Sequence, residues 1–312
     1  MKYNLKLTLL ILSFCTNFLL ASAQERAVKV TPKINSNRSV DFNFQKTDPG
    51  TYTVVINFTT LNNAAHLGTE FTAKDYGGRL FSLTPINKNQ GIGYAYSISY
   101  IRGKLKPKYH ANFVYLLPYK KEVKVRVAES NFLGATYFGD TTPEDWKAYR
   151  FYTSQQDTII AIRKGVVVSI KDLYDTGDDG NVAYTSKTNE LIIEHEDGTL
   201  ATYKGFAKGS FKVKEGQIVF PNTSLGLNSK YDKNGNFNVS IMITYLKSAD
   251  LANRSTSISK SKSFYGFVTP HFMTGENADH IVTSQKEYVA VSTPEIIQKE
   301  MSKKELKALT NR

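Results

Sequence analysis

The chain has 312 residues, a single cysteine, 41% hydrophobic residues and a formal charge of +12, from 40 Lys and Arg against 28 Asp and Glu. One cysteine excludes a disulfide framework, and the length allows one large or two medium domains with buried hydrophobic cores. The basic balance suits polyanions such as envelope polymers, lipid head groups or released nucleic acid, but solvated lysines of a basic proteome are the simpler explanation; no basic stripe interleaved with aromatics points to nucleic-acid binding.

The first 23 residues read as a cleavable secretory signal. Lys2 and Lys6 precede the apolar run Leu7 to Ala21, which is too short and too polar for a comfortable membrane span, and Ala21-Ser22-Ala23 is the small-x-small pattern of a cleavage site. An uncleaved N-terminal anchor is one alternative, and lipid attachment at Cys15 is another, disfavoured by the bulky Phe14 before it. Cleavage after Ala23 leaves 289 of the 312 residues, a charge of +10 and no cysteine, so stability must come from the core. A secreted or periplasmic location, with no stable membrane span after cleavage, is the expectation.

Residues 28 to about 130 alternate with period two. Thr51 to Thr60 puts Tyr52, Val54, Ile56 and Phe58 on one face, and Tyr94 to Tyr100 repeats this with Tyr94, Tyr96, Ile98 and Tyr100; such segments are half-buried antiparallel strands. Turn signals at Asp48-Pro49-Gly50, Gly77-Gly78 and Lys106-Pro107-Lys108 space them as in a small immunoglobulin-like β-sandwich. A second β block runs from about Tyr149 to Leu246. In it, Thr158 to Ile170 reads as a strand pair bent at Gly165, residues 172 to 187 as an exposed loop, and Glu190 to Tyr203 as a hairpin turning at Asp197-Gly198. Pro294 to Leu309 has helical spacing, with Ile297, Met301, Leu306 and Leu309 loosely on one face. The expected architecture is all-β: signal 1–23, sandwich 24–135, second β domain 136–250, and C-terminal strands and a short helix 251–312.

Four motifs in order carry a resemblance. They are Ile160 to Val167 (IAIRKGVV), Asn189 to Gly198 (NELIIEHEDG) followed by Thr202-Tyr203, Phe211 to Gly226 (FKVKEGQIVFPNTSLG), and Asn238 to Thr244 (NVSIMIT). Together they resemble the lysostaphin/LytM-type zinc metallopeptidases, which cut peptide cross-links of peptidoglycan on a two-layer β scaffold, the duplicated hybrid motif. Tyr115 to Tyr119 resembles a lead-in of secreted members.

The resemblance implies a zinc held by a histidine and an aspartate near the first strand pair and by one histidine of a closing H-x-H. The other histidine of that pair and a T-x-Y-x-H histidine would handle the water. Imidazole and carboxylate ligate zinc, an open position holds water, and a base takes its proton. Here the aspartate position is Arg150, the first histidine falls near Trp146, the T-x-Y-x-H histidine is Gly205, and the H-x-H pair is Asn238 and Ser240. The histidines are His66, His110, His195, His271 and His280, so no shift of a few residues rebuilds the site. A guanidinium at position 150 repels a dication.

Other candidates read as structural. Alternation puts His195 opposite Glu194 and Glu196; His271 and His280 could approach each other but have no carboxylate at ligand spacing. Asp175 to Asn181 and Asp232 to Asn236 miss the calcium-loop pattern and read as turns, and no serine carries a nucleophile-elbow motif.

The expected function is a secreted cell-envelope protein whose LytM-like domain has lost zinc and catalysis. Its relic groove would be lined by Trp146, Arg150, Tyr203, Asn238 and Ser240, with peptidoglycan or a cell-wall hydrolase as partner and no metal or cofactor. The alternatives are an active zinc peptidase of peptidoglycan with relocated ligands, and a carbohydrate- or envelope-binding module built on the N-terminal sandwich.

Overall fold

A computed structural model describes residues 27–65, 68–131, 142–175, 187–230, 235–250 and 263–310. The signal segment 1–23, most of the 172–187 loop and most of Asp232 to Asn236 lie outside them. None of the helices among the described residues is long and apolar enough to cross a membrane.

The chain is mostly β. In the N-terminal unit, β1 (Val28–Ile34), β2 (Val40–Lys46) and β5 (Gly77–Leu83) form one antiparallel sheet, and β4 (Glu70–Ala73), β3 (Tyr52–Asn62) and β6 (Gly93–Arg102) form another. Alternation turns Val40, Phe42 and Phe44 of β2 and Tyr52, Val54 and Ile56 of β3 into one shared core. The Phe42 ring stacks on Phe81 at 4.6 Å and meets Phe58 edge-on at 5.7 Å. The expected sandwich is therefore a two-sheet unit with three described strands a side, fewer than the seven of an immunoglobulin constant domain.

The remaining strands are β7 (Val114–Leu116), β8 (Lys124–Glu129), β9 (Tyr149–Thr153), β10 (Thr158–Ile160), β11 (Gly165–Lys171), β12 (Glu190–Glu194), β13 (Leu200–Lys204), β14 (Ile218–Val219), β15 (Ser224–Leu227), β16 (Phe237–Leu246), β17 (Tyr265–Phe267), β18 (His271–Met273) and β19 (Glu287–Val289). A nine-stranded sheet runs β14-β11-β12-β13-β16-β9-β8-β19, with β17 on β16. Two short sheets, β10-β15 and β7-β18, accompany it, and one hydrophobic cluster joins Tyr115, Phe151, Ile162, Ile193, Tyr203, Ile241 and Phe272. Residues assigned from the sequence to three successive domains thus share one sheet: β8 precedes position 135 and β17 and β19 follow position 250.

The hairpin at Asp197-Gly198 forms as expected: β12 pairs β13, Gly198 has φ +85°, and the His195 N–H donates to the Thr199 carbonyl at 2.9 Å. The pair expected across Gly165 does not form. β10 pairs β15, and β11 pairs β12 and β14. At Gly165 a Cβ would lie 2.4 Å from Ile193 Cγ2 and 2.5 Å from the Glu194 carbonyl, so the glycine permits a close approach of β11 to β12.

The C-terminal helix is two helices, α1 (Pro294–Gln298) and α2 (Lys303–Thr310). Thr293 caps the first, with Pro294 at its start. A reciprocal cap opens the second: the Ser302 N–H donates to Glu305 Oε2 at 2.6 Å and the Glu305 N–H to Ser302 Oγ at 3.3 Å. Ile296, rather than the expected Ile297 stripe, is the buried residue, and Leu309 is exposed.

Candidate functional site

Strand alternation gives the nine-stranded sheet two faces. Tyr149 and Phe151 of β9, Val239, Ile241 and Ile243 of β16, and Ala201 and Tyr203 of β13 point into the core. The other face carries the positions where the resemblance expects metal chemistry. Register places Lys204, Ser240, Arg150 and Ala128 side by side across β13, β16, β9 and β8. Directly opposite residues have Cβ atoms about 5 Å apart, so Arg150 and Ser240 adjoin.

The neighbouring positions are also basic. Lys204 Nζ lies 3.6 Å from Glu190 Oε2 on β12, and the Arg126 guanidinium lies 4.3 Å over the Tyr152 ring, beside Asn238 in register. Arg126, Arg150 and Lys204 thus bring three cationic side chains to this face, with Glu190 beside Lys204. At its edge, Asn238 is fully buried; its Nδ2 donates to the Asn236 carbonyl at 2.9 Å, while Oδ1 has no hydrogen-bond partner among the described residues.

Register puts Arg150, Asn238 and Ser240 on this one face, with Asn238 buried and Ser240 only 9% exposed. Tyr203 does not join them. One position from Lys204 on the same strand, it points the opposite way, is 0% exposed, and its hydroxyl accepts from the Ile162 N–H at 3.0 Å. Trp146 stands before β9, half-buried, donating from Nε1 to the Ser130 carbonyl at 2.7 Å and meeting Phe267 edge-on at 4.7 Å. Gly205 has φ +106°, a backbone conformation unfavourable to a histidine, and its carbonyl accepts from both the N–H and the hydroxyl of Ser229 at 2.9 Å.

The sandwich meets this face at its far end. Glu194 Oε2 accepts from the Thr51 N–H at 2.6 Å, the Lys106 N–H donates to the Leu246 carbonyl at 2.8 Å, and the Tyr265 hydroxyl donates to the Arg102 carbonyl at 2.7 Å.

A buried charge cluster at the β12–β13 turn carried no strong sequence signal. Arg163, 2% exposed, makes a two-pronged pair with Glu300 and a second pair with Asp197 at 2.8 Å. Its guanidinium lies 3.7 Å over the Phe113 ring, whose centroid is 4.4 Å from Lys299 Nζ. Lys164 Nζ binds the Glu300 carbonyl at 2.9 Å and Glu305 Oε2 at 2.8 Å. Beside them a hollow of about 560 Å³ is lined by Tyr109, His110, Asn112, Phe113, Lys299 and Glu300. The only sequence signal was the Arg163-Lys164 pair amid apolar residues; its acidic partners are more than thirty residues away.

His195 lies behind this cluster, 2% exposed, with Nδ1 2.9 Å from Thr199 Oγ1. Burial and the Arg163 charge hold its pKa well below the ordinary value. Burial alone would raise the Asp197 pKa, but Arg163 and Thr199 outweigh it and hold the carboxyl below its usual range.

Among the described residues, no three His, Cys, Asp or Glu side chains are grouped to hold a metal. One expectation is corrected: His271 does have a carboxylate neighbour, Asp279 Oδ1 at 2.6 Å, brought close by the turn that lets Phe272 bridge His280. The His280 ring packs on Tyr288 at 5.4 Å, and its buried Nδ1 has no partner among the described residues.

No family model matches the sequence, and no curated protein is significantly similar to it. Among solved structures, the chain is similar to one described as the SpoIIQ-SpoIIIAH pore forming complex (16% identity, TM-score 0.28, 42% of this chain and 84% of that one). It is also similar to the M23 metalloprotease pseudoalterin from the deep sea (14%, 0.31, 58% and 96%) and to a protein described as a peptidase M23 from Pseudomonas aeruginosa (12%, 0.27, 63% and 83%). At these identities and scores the similarities assign neither a family nor an activity.

Proposed function

We propose that this chain is an exported, non-catalytic protein of the lysostaphin/LytM type that binds the peptide part of peptidoglycan on the sheet face around Arg150. The observation that carries the reading is the pairing of Arg150 with Ser240, where the resemblance expects an aspartate and a histidine. A guanidinium opposes a dication but suits a carboxylate, which it can grip through two parallel N–H bonds. Lys204 and Arg126 extend the same charge along the face, as an acidic stem peptide would require.

The chain from Gln24, which contains every described residue, is the material for the test. It is expected to sediment with purified cell-wall sacculi, to lose that binding on Arg150→Glu, and to leave the sacculi uncut. Stoichiometric, tightly held zinc together with peptidoglycan cleavage would instead establish the active peptidase. Binding retained in full by Arg150→Glu would move the contact to the N-terminal sandwich.

A further inference from the structure

The four edges of the sandwich are not alike. β1 carries Lys29, Pro32 and Lys33, β4 is four residues long and starts at Glu70, and β5 carries Arg79. Charge, proline and shortness are the usual means by which an edge strand is kept from pairing with another chain. β6 has none of these from Gly93 to Ile101, and among the described residues it pairs with β3 alone.

The sequence of this edge is nearly its own reverse: Tyr94-Ala95-Tyr96-Ser97-Ile98-Ser99-Tyr100. Laid antiparallel on a second copy about a two-fold axis at Ser97, it sets Tyr94 against Tyr100, Tyr96 against Ile98, Ala95 against Ser99 and Ser97 against itself. On the inner face every pair is then aromatic with aromatic or aromatic with β-branched, the combinations that favour strand pairing. On the outer face every pair is small and uncharged. Tyr94, Tyr96, Ile98 and Tyr100 are half-buried against the sandwich core, so a neighbouring strand would cover what they still expose. The register ends before Arg102, whose carbonyl already accepts from the Tyr265 hydroxyl.

We propose that β6 is a homodimer interface, joining two copies of this chain through antiparallel β6–β6 pairing into a continuous sheet of six strands. The contact is isologous and closes on itself, so it yields a dimer rather than a fibre.

The chain from Gln24 contains no cysteine, which makes the register directly readable. Light scattering over a concentration series is expected to show the mass rising from one chain to two. Under mild oxidation, Ser97→Cys is expected to cross-link with itself several-fold faster than Thr59→Cys, which is exposed on β3 away from the edge; a symmetric antiparallel pair brings the two Cα atoms within disulfide reach. Ser97→Lys sets like charges opposite each other on an exposed position and is expected to abolish the dimer while leaving the circular dichroism spectrum unchanged. A single-chain mass at every concentration, equal cross-linking at the two sites, or a dimer that survives Ser97→Lys would overturn the proposal.

Discussion

Arg163 and Glu300, 137 residues apart in sequence, form a two-pronged ion pair in which Arg163 Nε lies 3.0 Å from Oε2 and Nη2 lies 2.7 Å from Oε1. The pair ties the turn between α1 and α2 to the segment that leads into β11. Beneath it, the apolar contact of α1 is small: Ile296 with Leu116 and Ile160, edged by Val114, Met273 and Ile297. Anchoring of the C-terminal segment therefore depends heavily on charge.

Glu300→Ala is expected to cost about 3 kcal/mol, because it strands a buried guanidinium that Asp197 alone must then compensate. The measurement is the urea midpoint at neutral pH. A conservative Glu300→Gln, which keeps the volume but not the charge, should lose most of the same stability.

The second link, Lys164 to Glu305, gives an acid dependence. Hydrogen bonds from Lys164 and from the Ser302 backbone and side chain depress the Glu305 pKa from 4.5 to about 2. The unfolded chain takes up the proton first, so this stabilisation is complete above about pH 4.5 and disappears as the pH falls towards 2. Glu305→Gln should flatten that part of the pH–stability curve. Equal slopes in the two proteins between pH 4.5 and 2 would show that Glu305 makes no contribution.

How far the sequence foretold this arrangement depended on the range over which its signals act. Period-two alternation located β3 and β6, and the turn chemistry of Asp197-Gly198 located the β12–β13 hairpin, because both are short-range preferences of the backbone. Motif matching alone grouped Arg150, Asn238, Ser240 and Tyr203; register puts the first three on one face, whereas strand parity turns Tyr203 into the core. The nine-stranded sheet was not legible, since it is closed by the β9–β16 and β8–β19 pairings, whose long sequence separation no local pattern encodes. The split of the C-terminal helix was written in Ser302 and Glu305, a capping box that the looser apolar spacing of the tail obscured.

His195 gives a second pH dependence, in a different window. The folded state holds the ring neutral, through burial and then the Arg163 charge, whereas the unfolded chain protonates near pH 6.5. Below that value the unfolded state binds more protons, so stability declines as the solution is acidified from neutrality. The ring Cε1 resonance is expected not to shift between pH 8 and pH 5, and the urea midpoint should be lower at pH 5 than at pH 7. His195→Asn should reduce that difference.

The junction between the sandwich and the sheet face rests on a glycine. Gly50 has φ +84°, and a Cβ there would lie 2.4 Å from Val168 Cγ1 and 2.7 Å from Glu194 Oε2, the oxygen that accepts from the Thr51 N–H. Gly50→Ala therefore combines backbone strain with a clash that pushes the sandwich off the sheet, and should cost about 2 to 4 kcal/mol. Gly209 separates the two effects: it too has positive φ, +69°, but nothing lies within 4 Å of its missing Cβ, so Gly209→Ala should cost only about 1 kcal/mol. Urea unfolding of the two variants tests the difference. If Gly50→Ala unfolds in one transition no earlier than Gly209→Ala, the contact between Thr51 and Glu194 does not hold the two units together.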